Sequence, residues 1–261
     1  MPFPTSERLV FERNPLAEVI GQLRFPTILE IGTVEPASFQ KHVRAEYPLY
    51  TKDDGGGVAF PEISKVLELF RTQLPLSISR SSTHKFATED ENRFVSLSSN
   101  FLAVTERNYT EWSDFRRAIG SAVEALEQEY APAFYERIGL RYRNEIDQRK
   151  LNMDVDWHEL LNRQLIGALG STEIGRDVSE ITTTALISLD DIDGGKVRLR
   201  HGLSPNADEG HHMYLVDADF FVEQRTGRDD VLDKLEQFRY VAGNLFRWAA
   251  TPTLKQALKP R

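Results

Sequence analysis

The stretch Arg137-Ile138-Gly139-Leu140-Arg141-Tyr142-Arg143-Asn144-Glu145-Ile146 alternates between apolar and charged side chains. A period of two is typical of a β-strand, whose successive side chains point to opposite faces. The spacing therefore predicts a strand with one face on a core and a basic face directed elsewhere. The predicted core face carries Ile138, Leu140, Tyr142 and Ile146, and the other carries Arg137, Arg141, Arg143 and Glu145.

The segments that precede this strand alternate between strand and helix patterns. Their order, β-α-β-β-α-β, is typical of the ferredoxin-like arrangement, an antiparallel sheet backed by two helices. A short helix at 62–74 is treated as an insertion, and Asn100 is expected to bulge or break its strand. The predicted strands are Ala17 to Phe25, His84 to Glu89 and Arg93 to Glu106, and the helices are 36–47 and 111–130, the second with Thr110 as its N-cap.

The second half of the chain repeats the same kinds of pattern. Helical stripes at 157–169 and 229–249 enclose three predicted strands. These strands are Ser179 to Leu189, Val197 to Leu203 and Met213 to Glu223. The best domain boundary lies near 147–156, where residues 147–150 are all polar. We therefore predict an α+β fold, antiparallel sheets backed by helices, in two ferredoxin-like or related halves at 1–147 and 148–261.

Composition excludes several classes of function. The chain has 261 residues, a net charge of −8 and no cysteine. Without cysteine there is no disulfide, thiolate metal site or cysteine nucleophile. The negative charge argues against bulk affinity for nucleic acid or an anionic membrane, although it leaves room for a local basic patch. No signal-peptide pattern or apolar run of roughly 18 residues occurs, so a cytoplasmic protein without membrane contact is expected.

Four segments together carry a family resemblance. They are Asn14 to Val19 with Gln22 to Pro26, Tyr47 to Leu49, Arg93 to Glu106 leading into Trp112 and Phe115, and Glu136 to Asn144. Their order and spacing resemble a sporadically distributed bacterial and archaeal family of uncharacterised proteins of about this length. The resemblance implies one unit over nearly the whole chain and supplies no catalytic residues. The family's patchy distribution implies mobile or defence-associated gene neighbourhoods.

Three histidines near an acidic loop raise the question of a metal site. A metal ion needs three or four ligands that converge on one point. Adjacent residues of a strand point to opposite faces, so His211 and His212 are poorly placed to share an ion. A solvated hairpin connection is the favoured interpretation of His201, His211 and His212 with Asp208 and Glu209.

Other polar clusters also favour ordinary turns and loops. Asp190, Asp191 and Asp193 lack the 12-residue spacing and closing glutamate of a calcium loop. The glycines at 55–57 lack the Lys-Ser/Thr pair of a phosphate loop. We therefore expect no metal and no cofactor.

The arginines are the strongest candidates for a ligand site. Lys196, Arg198 and Arg200 alternate along a second strand. On one side of a common sheet, two such faces would form a basic platform able to hold phosphate groups by forked hydrogen bonds. Alternatively, Asp217, Asp219 and Glu223 of the next strand pair with these cations across the sheet. The candidate ligand set is Arg137, Arg141, Arg143, Arg198 and Arg200.

Two functions follow from these patterns. The first is a non-enzymatic binding or regulatory module, which acts through contacts with a protein partner and with a phosphate-bearing ligand. The alternative is an enzyme acting on nucleotide or nucleic acid, with the arginine-bearing strand as a substrate clamp. Such an enzyme needs a carboxylate pair or a base near that face, and Glu145 is the acidic group on the exposed face of the first arginine strand. No catalytic residue is assigned.

Overall fold

A computed structural model of the chain describes residues 2–53, 82–206 and 211–261. Its strands form a nine-stranded antiparallel sheet in the order β2-β3-β4-β5-β1-β6-β9-β8-β7. The predicted α+β class is confirmed. The strands are β1 Leu16–Arg24, β2 Leu49–Asp53, β3 Thr83–Ala87, β4 Arg93–Ser98, β5 Phe101–Glu106, β6 Arg137–Asp147, β7 Ile181–Ser188, β8 Lys196–Asn206 and β9 His211–Val222.

The described helices differ greatly in length. Two of them span 19 residues each, and the others are short. The helices are α1 Leu29–Thr33, α2 Ala37–Val43, α3 Trp112–Tyr130, α4 Trp157–Leu160, α5 Arg163–Ile166, α6 Val231–Ala249 and α7 Pro252–Ala257. None of the described helices has the length and apolar character needed to cross a bilayer. The helix predicted at 62–74 and the glycines at 55–57 lie outside the described residues.

Contacts along the chain divide it into two compact units. The first unit consists of Glu18–Arg141 and Phe221–Glu236. The second consists of Met1–Ala17, Tyr142–Phe220 and Gln237–Arg261. Both units include residues from either side of position 147, and the division into halves at 147 stays a prediction.

In the first unit, one face of the sheet packs against α3. The alternation predicted for β1 holds, since Val19 and Leu23 are fully buried whereas Gln22 and Arg24 are half-exposed. Gly21 lies where a Cβ atom would collide with the side chain of Ile119. The glycine thus lets the helix approach the sheet closely. Other buried residues of this face are Phe86, Val95, Leu97, Leu102 and Val104.

The segment from Arg93 to Glu106 forms a hairpin of two strands, β4 and β5. Ser98 pairs with Phe101 across the turn, and Arg93 pairs with Glu106 at the open end. The guanidinium of Arg93 also donates to the carboxylate of Glu106. The break expected at Asn100 is therefore a chain reversal, because Ser99 and Asn100 form the turn.

In the second unit, β7 and β8 pair antiparallel from Ile181↔Leu203 to Ser188↔Lys196. The turn predicted at 190–195 connects them, and the amide of Leu189 donates to the carbonyl of Gly195. The continuous helix predicted at 157–169 is wrong. Two short helices, α4 and α5, occupy this segment, because Asn162 caps α5 and Gly167 ends it with a φ of +52°.

Strand β6 was predicted in position and, with one exception, in burial. Ile138, Leu140 and Ile146 are buried as expected. Tyr142 is only half-buried, so its predicted place in the core is wrong. Burial is also expected along the apolar stripes of the two long helices. Phe115, Ile119 and Phe238 are buried accordingly, whereas Phe246 is half-exposed. Helix α3 has Glu111 at its N-cap and not Thr110.

Candidate anion-binding site

On the side away from α3, the sheet of the first unit carries polar and apolar residues together, and Ser96, Ser98 and Ala103 among them are each 1% exposed. Strand pairing places Lys85 opposite Ser96, Ser96 opposite Ala103, and Ala103 opposite Gln22. A second row joins Ser98, Phe101 and Arg24. Side chains directly opposite each other on neighbouring strands share a face. We call these two rows, with the residues that contact them, the polar face.

Arg137 of β6 contacts an amide oxygen and an aromatic ring on the polar face. Its Nη1 donates to Oε1 of Gln22 at 3.1 Å. The guanidinium carbon also lies 4.8 Å from the centre of the Phe221 ring, which places the cation over the aromatic face. Gly139 lies beneath the guanidinium, since a Cβ built on it would be 3.0 Å from Cζ of Arg137. The glycine therefore leaves the space that the guanidinium occupies.

Arg24 is the second cation of this area. It lies two residues beyond Gln22 on the same face of β1, a Cα separation of about 7 Å. Its side chain is half-exposed, and within the described residues it forms no ion pair. Because Oε1 of Gln22 accepts from Arg137, the amide nitrogen of Gln22 remains a donor. We call Arg24, Gln22 and Arg137 the Arg24 cluster: Arg137 contacts Gln22, and Arg24 follows Gln22 by two residues on the same face of β1.

Further cations lie on the same polar face. Nζ of Lys85 lies 4.3 Å from the centre of the Phe94 ring, and Cζ of Arg107 lies 5.4 Å from it. By alternation, Glu18 on β1 and Asp53 on β2 share this face at its periphery. The cations on the described part of the face are Arg24, Lys85, Arg107, Arg137 and, by alternation along β6, Arg141. Among the described residues of this face, cations thus outnumber the carboxylates Glu18 and Asp53.

The predicted arginines of the second unit lie beside carboxylates. Nη2 of Arg143 is 3.5 Å from Oε1 of Glu145 on the same strand. Nη1 of Arg198 is 4.0 Å from Oδ2 of Asp219. The contact between Arg198 and Asp219 corresponds to the cross-strand ion pairing that was the alternative to a ligand platform.

Arg200 is the most enclosed of the candidate arginines. Its side chain is 2% exposed, and its Nη1 lies 3.4 Å from Oδ2 of Asp217, which is fully buried. This placement makes it a residue of the interior of the second unit. The assignment of ligand binding to all five arginines stays a prediction.

His201 is part of an aromatic cluster. Its Nδ1 lies 2.8 Å from the hydroxyl oxygen of Tyr214. The ring centroid of Tyr214 lies 5.7 Å from that of Trp157. Burial lowers the pKa of His201 to about 4, so the imidazole is neutral at physiological pH. In the described parts of the chain, no group of three or more His, Asp or Glu is arranged to hold a metal ion. Asp208, Glu209 and the side chains of His211 and His212 lie outside that description.

Gln22 and Arg24 were missed as candidate ligands from the sequence. In the strand predicted at Ala17 to Phe25, alternation places Gln22 and Arg24 on the face opposite Val19, Leu23 and Phe25. The missing step was to pair β1 with the arginine strand, which the ferredoxin-like order implies because its first and last strands are neighbours. The predicted strand order therefore indicated that Gln22 and Arg24 neighbour the arginine strand, although the pattern of a single strand does not show it.

Comparison with known proteins assigns no family. No family model and no curated protein matches the chain. A solved structure described as "KH domains" is similar over 96% of this chain and 89% of its own, with 12% identity and a TM-score of 0.26. A likeness at this TM-score supports neither a fold nor a function. The resemblance to the sporadically distributed family stays a prediction.

Proposed function

We propose that the protein is a cytoplasmic, non-enzymatic binding module that acts through protein contacts and holds a phosphate-bearing ligand at the Arg24 cluster. The observation that carries the proposal is the hydrogen bond between Arg137 and Gln22, with the guanidinium over Phe221. This arrangement orients a cation before any ligand arrives. A preorganised guanidinium loses less conformational entropy on binding than a freely rotating one.

The chemistry of the cluster suits phosphate. A guanidinium presents its N–H donors in a planar fork that matches two phosphate oxygens. Arg24 and Arg137 are two such guanidiniums, and the amide nitrogen of Gln22 is a neutral donor. Arginine stays protonated at physiological pH and has no acceptor. The three groups thus hold an anion, and none of them acts as a general base, which favours binding over catalysis.

The test is a thermal-shift and calorimetric titration of the full chain with pyrophosphate at low salt. A ligand that binds the native state stabilises it by RT ln(1 + c/Kd), where c is the free ligand concentration, so the melting temperature rises with the logarithm of c above Kd. We expect pyrophosphate to stabilise the wild type and to lose affinity as salt is added, because salt screens exposed charges. Arg24→Glu should abolish binding without loss of fold, since Arg24 is half-exposed and forms no ion pair among the described residues.

Arg116→Glu is the matched control. Arg116 is exposed on α3, so the variant makes the same change of charge away from the polar face. Retained binding in this variant assigns the loss in Arg24→Glu to the cluster and not to net charge. The proposal would be contradicted if Arg24→Glu and Arg116→Glu lowered the affinity for pyrophosphate equally, or if the wild type did not bind pyrophosphate.

A further inference from the structure

Strand β7 lies at an end of the sheet, and β8 is its neighbour on one side. Among the described residues, no other strand pairs with it. The outer side of such an edge strand presents backbone N–H and C=O groups at alternate residues. These groups can accept a further strand, and β7 belongs entirely to the second unit.

The sequence of β7 lacks the features that usually protect an edge. Its residues are Ile181-Thr182-Thr183-Thr184-Ala185-Leu186-Ile187-Ser188, with no charge and no proline. Natural edge strands are commonly short, or carry lysine, proline or bulges that prevent pairing with another chain. Leu186 is moreover 57% exposed. An unprotected eight-residue edge rich in β-branched residues is suited to strand addition.

The two faces of β7 differ in character. Ile181, Ala185 and Ile187 are half-buried on one face, which also carries the exposed Thr183, whereas all residues of the other face are exposed: Thr182, Thr184, Leu186 and Ser188. Side chains of an added strand would continue this difference, because neighbours across a sheet share a face. The matching strand therefore alternates apolar residues with threonine-like polar ones.

Charge at the ends of β7 indicates what flanks that strand. Asp177 and Glu180 precede β7 and Asp190 follows it, all of them exposed; of the neighbouring cations, Arg176 pairs with Asp156, and Lys196 lies opposite Ser188. Antiparallel pairing of β7 with a second copy would bring the two sets of carboxylates together, and like charges repel. A partner with basic residues at both ends meets them with opposite charge.

We infer that the β7 edge binds an extended segment of another protein, with an alternating apolar and threonine-like core and basic residues at both ends. The inference deepens the protein-contact part of the proposed function and rests on it. It uses residues distinct from the Arg24 cluster, so pyrophosphate binding and segment binding succeed or fail separately.

The probe is a fluorescently labelled peptide, Lys-Arg-Thr-Val-Thr-Val-Thr-Val-Lys-Arg, titrated with the full chain and followed by anisotropy. We expect saturable binding, and at least about a tenfold loss of affinity in Leu186→Lys, because a lysine there protects the edge as in natural sheets. Leu29→Lys is the matched variant, since Leu29 is 75% exposed on α1 and lies in the first unit. It should bind as the wild type does.

A second variant pair tests the charged flanks. Glu180→Lys with Asp190→Lys should weaken binding at least about tenfold and reduce its salt dependence, whereas Asp229→Lys with Asp230→Lys should not. This pair also carries the test if Leu186→Lys lowers the melting temperature. A control peptide with proline at its two central positions cannot complete the ladder and should not bind.

Three results would overturn the inference. The first is equal binding of the proline peptide, and the second is the absence of binding by the wild type. The third is a dimer in sedimentation that Leu186→Lys dissociates, since it would assign the edge to a second copy of this chain.

Discussion

Arg200 and Asp217 form a buried ion pair on neighbouring strands β8 and β9, with Nη1 of the arginine 3.4 Å from Oδ2 of the aspartate. Side-chain exposure is 2% for Arg200 and zero for Asp217. Removing two charges from water is costly, and the attraction between them offsets this cost only while both are present. The pair therefore makes the stability of the second unit depend on two residues together.

The first prediction concerns this pair. Asp217→Ala leaves a buried guanidinium without its carboxylate and should destabilise the fold by about 3–5 kcal/mol. Arg200→Met with Asp217→Leu removes both charges, and we expect it to recover most of that loss. Urea denaturation of the two variants measures the difference. A double variant no more stable than Asp217→Ala would show that the pair is not coupled in this way.

The second prediction concerns the buried His201. Its pKa is about 4 in the folded protein, against 6.5 for an ordinary histidine, because burial disfavours the charged form. Between these values the unfolded chain binds a proton that the folded chain does not, so the free energy of unfolding falls as pH falls from about 6.5 to 4. The loss should be about 2 kcal/mol between pH 7 and pH 5. In denaturation at both pH values, His201→Gln should show a smaller dependence, and an unchanged one would count against this assignment.

Local patterns in the sequence were sufficient to predict much of the fold. The alternation of β6 and β1 and the apolar stripes of α3 and α6 each arise from a single element that packs with one face on a core. The spacing of apolar residues within such an element shows which of its faces is buried. The predicted helix at 157–169 failed because an Asn cap and a positive φ at Gly167 interrupt the stripe, and apolar spacing alone does not show either.

The candidate site was harder to predict because it depends on neighbouring strands. Alternation showed that Arg137, Arg141 and Arg143 share a face, but not which residues meet them. Gln22 lies 115 positions from Arg137 in the chain, and the bond between them appears only once β1 and β6 are placed together. The acidic partner of Arg200 was identified among the alternatives, since pairing of successive strands β8 and β9 is a short-range expectation.

The third prediction concerns the core face of β6. Leu140 is fully buried, so Leu140→Ala should cost about 2–5 kcal/mol through lost burial and the cavity that remains. Leu186→Ala makes the same change at an exposed position of another strand and should stay within about 0.5 kcal/mol of wild type. Chemical denaturation of both variants compares them directly. A small cost at Leu140 would contradict its assignment to the core.

The fourth prediction concerns Gly139 and the orientation of Arg137. A methyl group at position 139 would occupy the space of the Arg137 guanidinium, with Cζ 3.0 Å and Nη2 3.1 Å from the built Cβ. Since that guanidinium is the end of a flexible side chain, it can move away, at a cost in stability of about 1 kcal/mol or less. Movement breaks the hydrogen bond to Gln22 and the contact with Phe221. We therefore expect Gly139→Ala to retain its fold and to bind pyrophosphate at least about tenfold more weakly, as one lost charge-assisted hydrogen bond would cause.

A double-mutant cycle isolates the cause of that loss. If the methyl group acts through Arg137, Gly139→Ala should have no further effect on pyrophosphate affinity in an Arg137→Ala background, because the displaced group is already absent. Calorimetric titration of the wild type, both single variants and the double variant supplies the four affinities. Independent, additive losses would mean that Gly139 contributes to binding without positioning Arg137. Such a result would show that Gly139 does not orient Arg137 for binding. The contribution of Arg24 is measured separately, by Arg24→Glu.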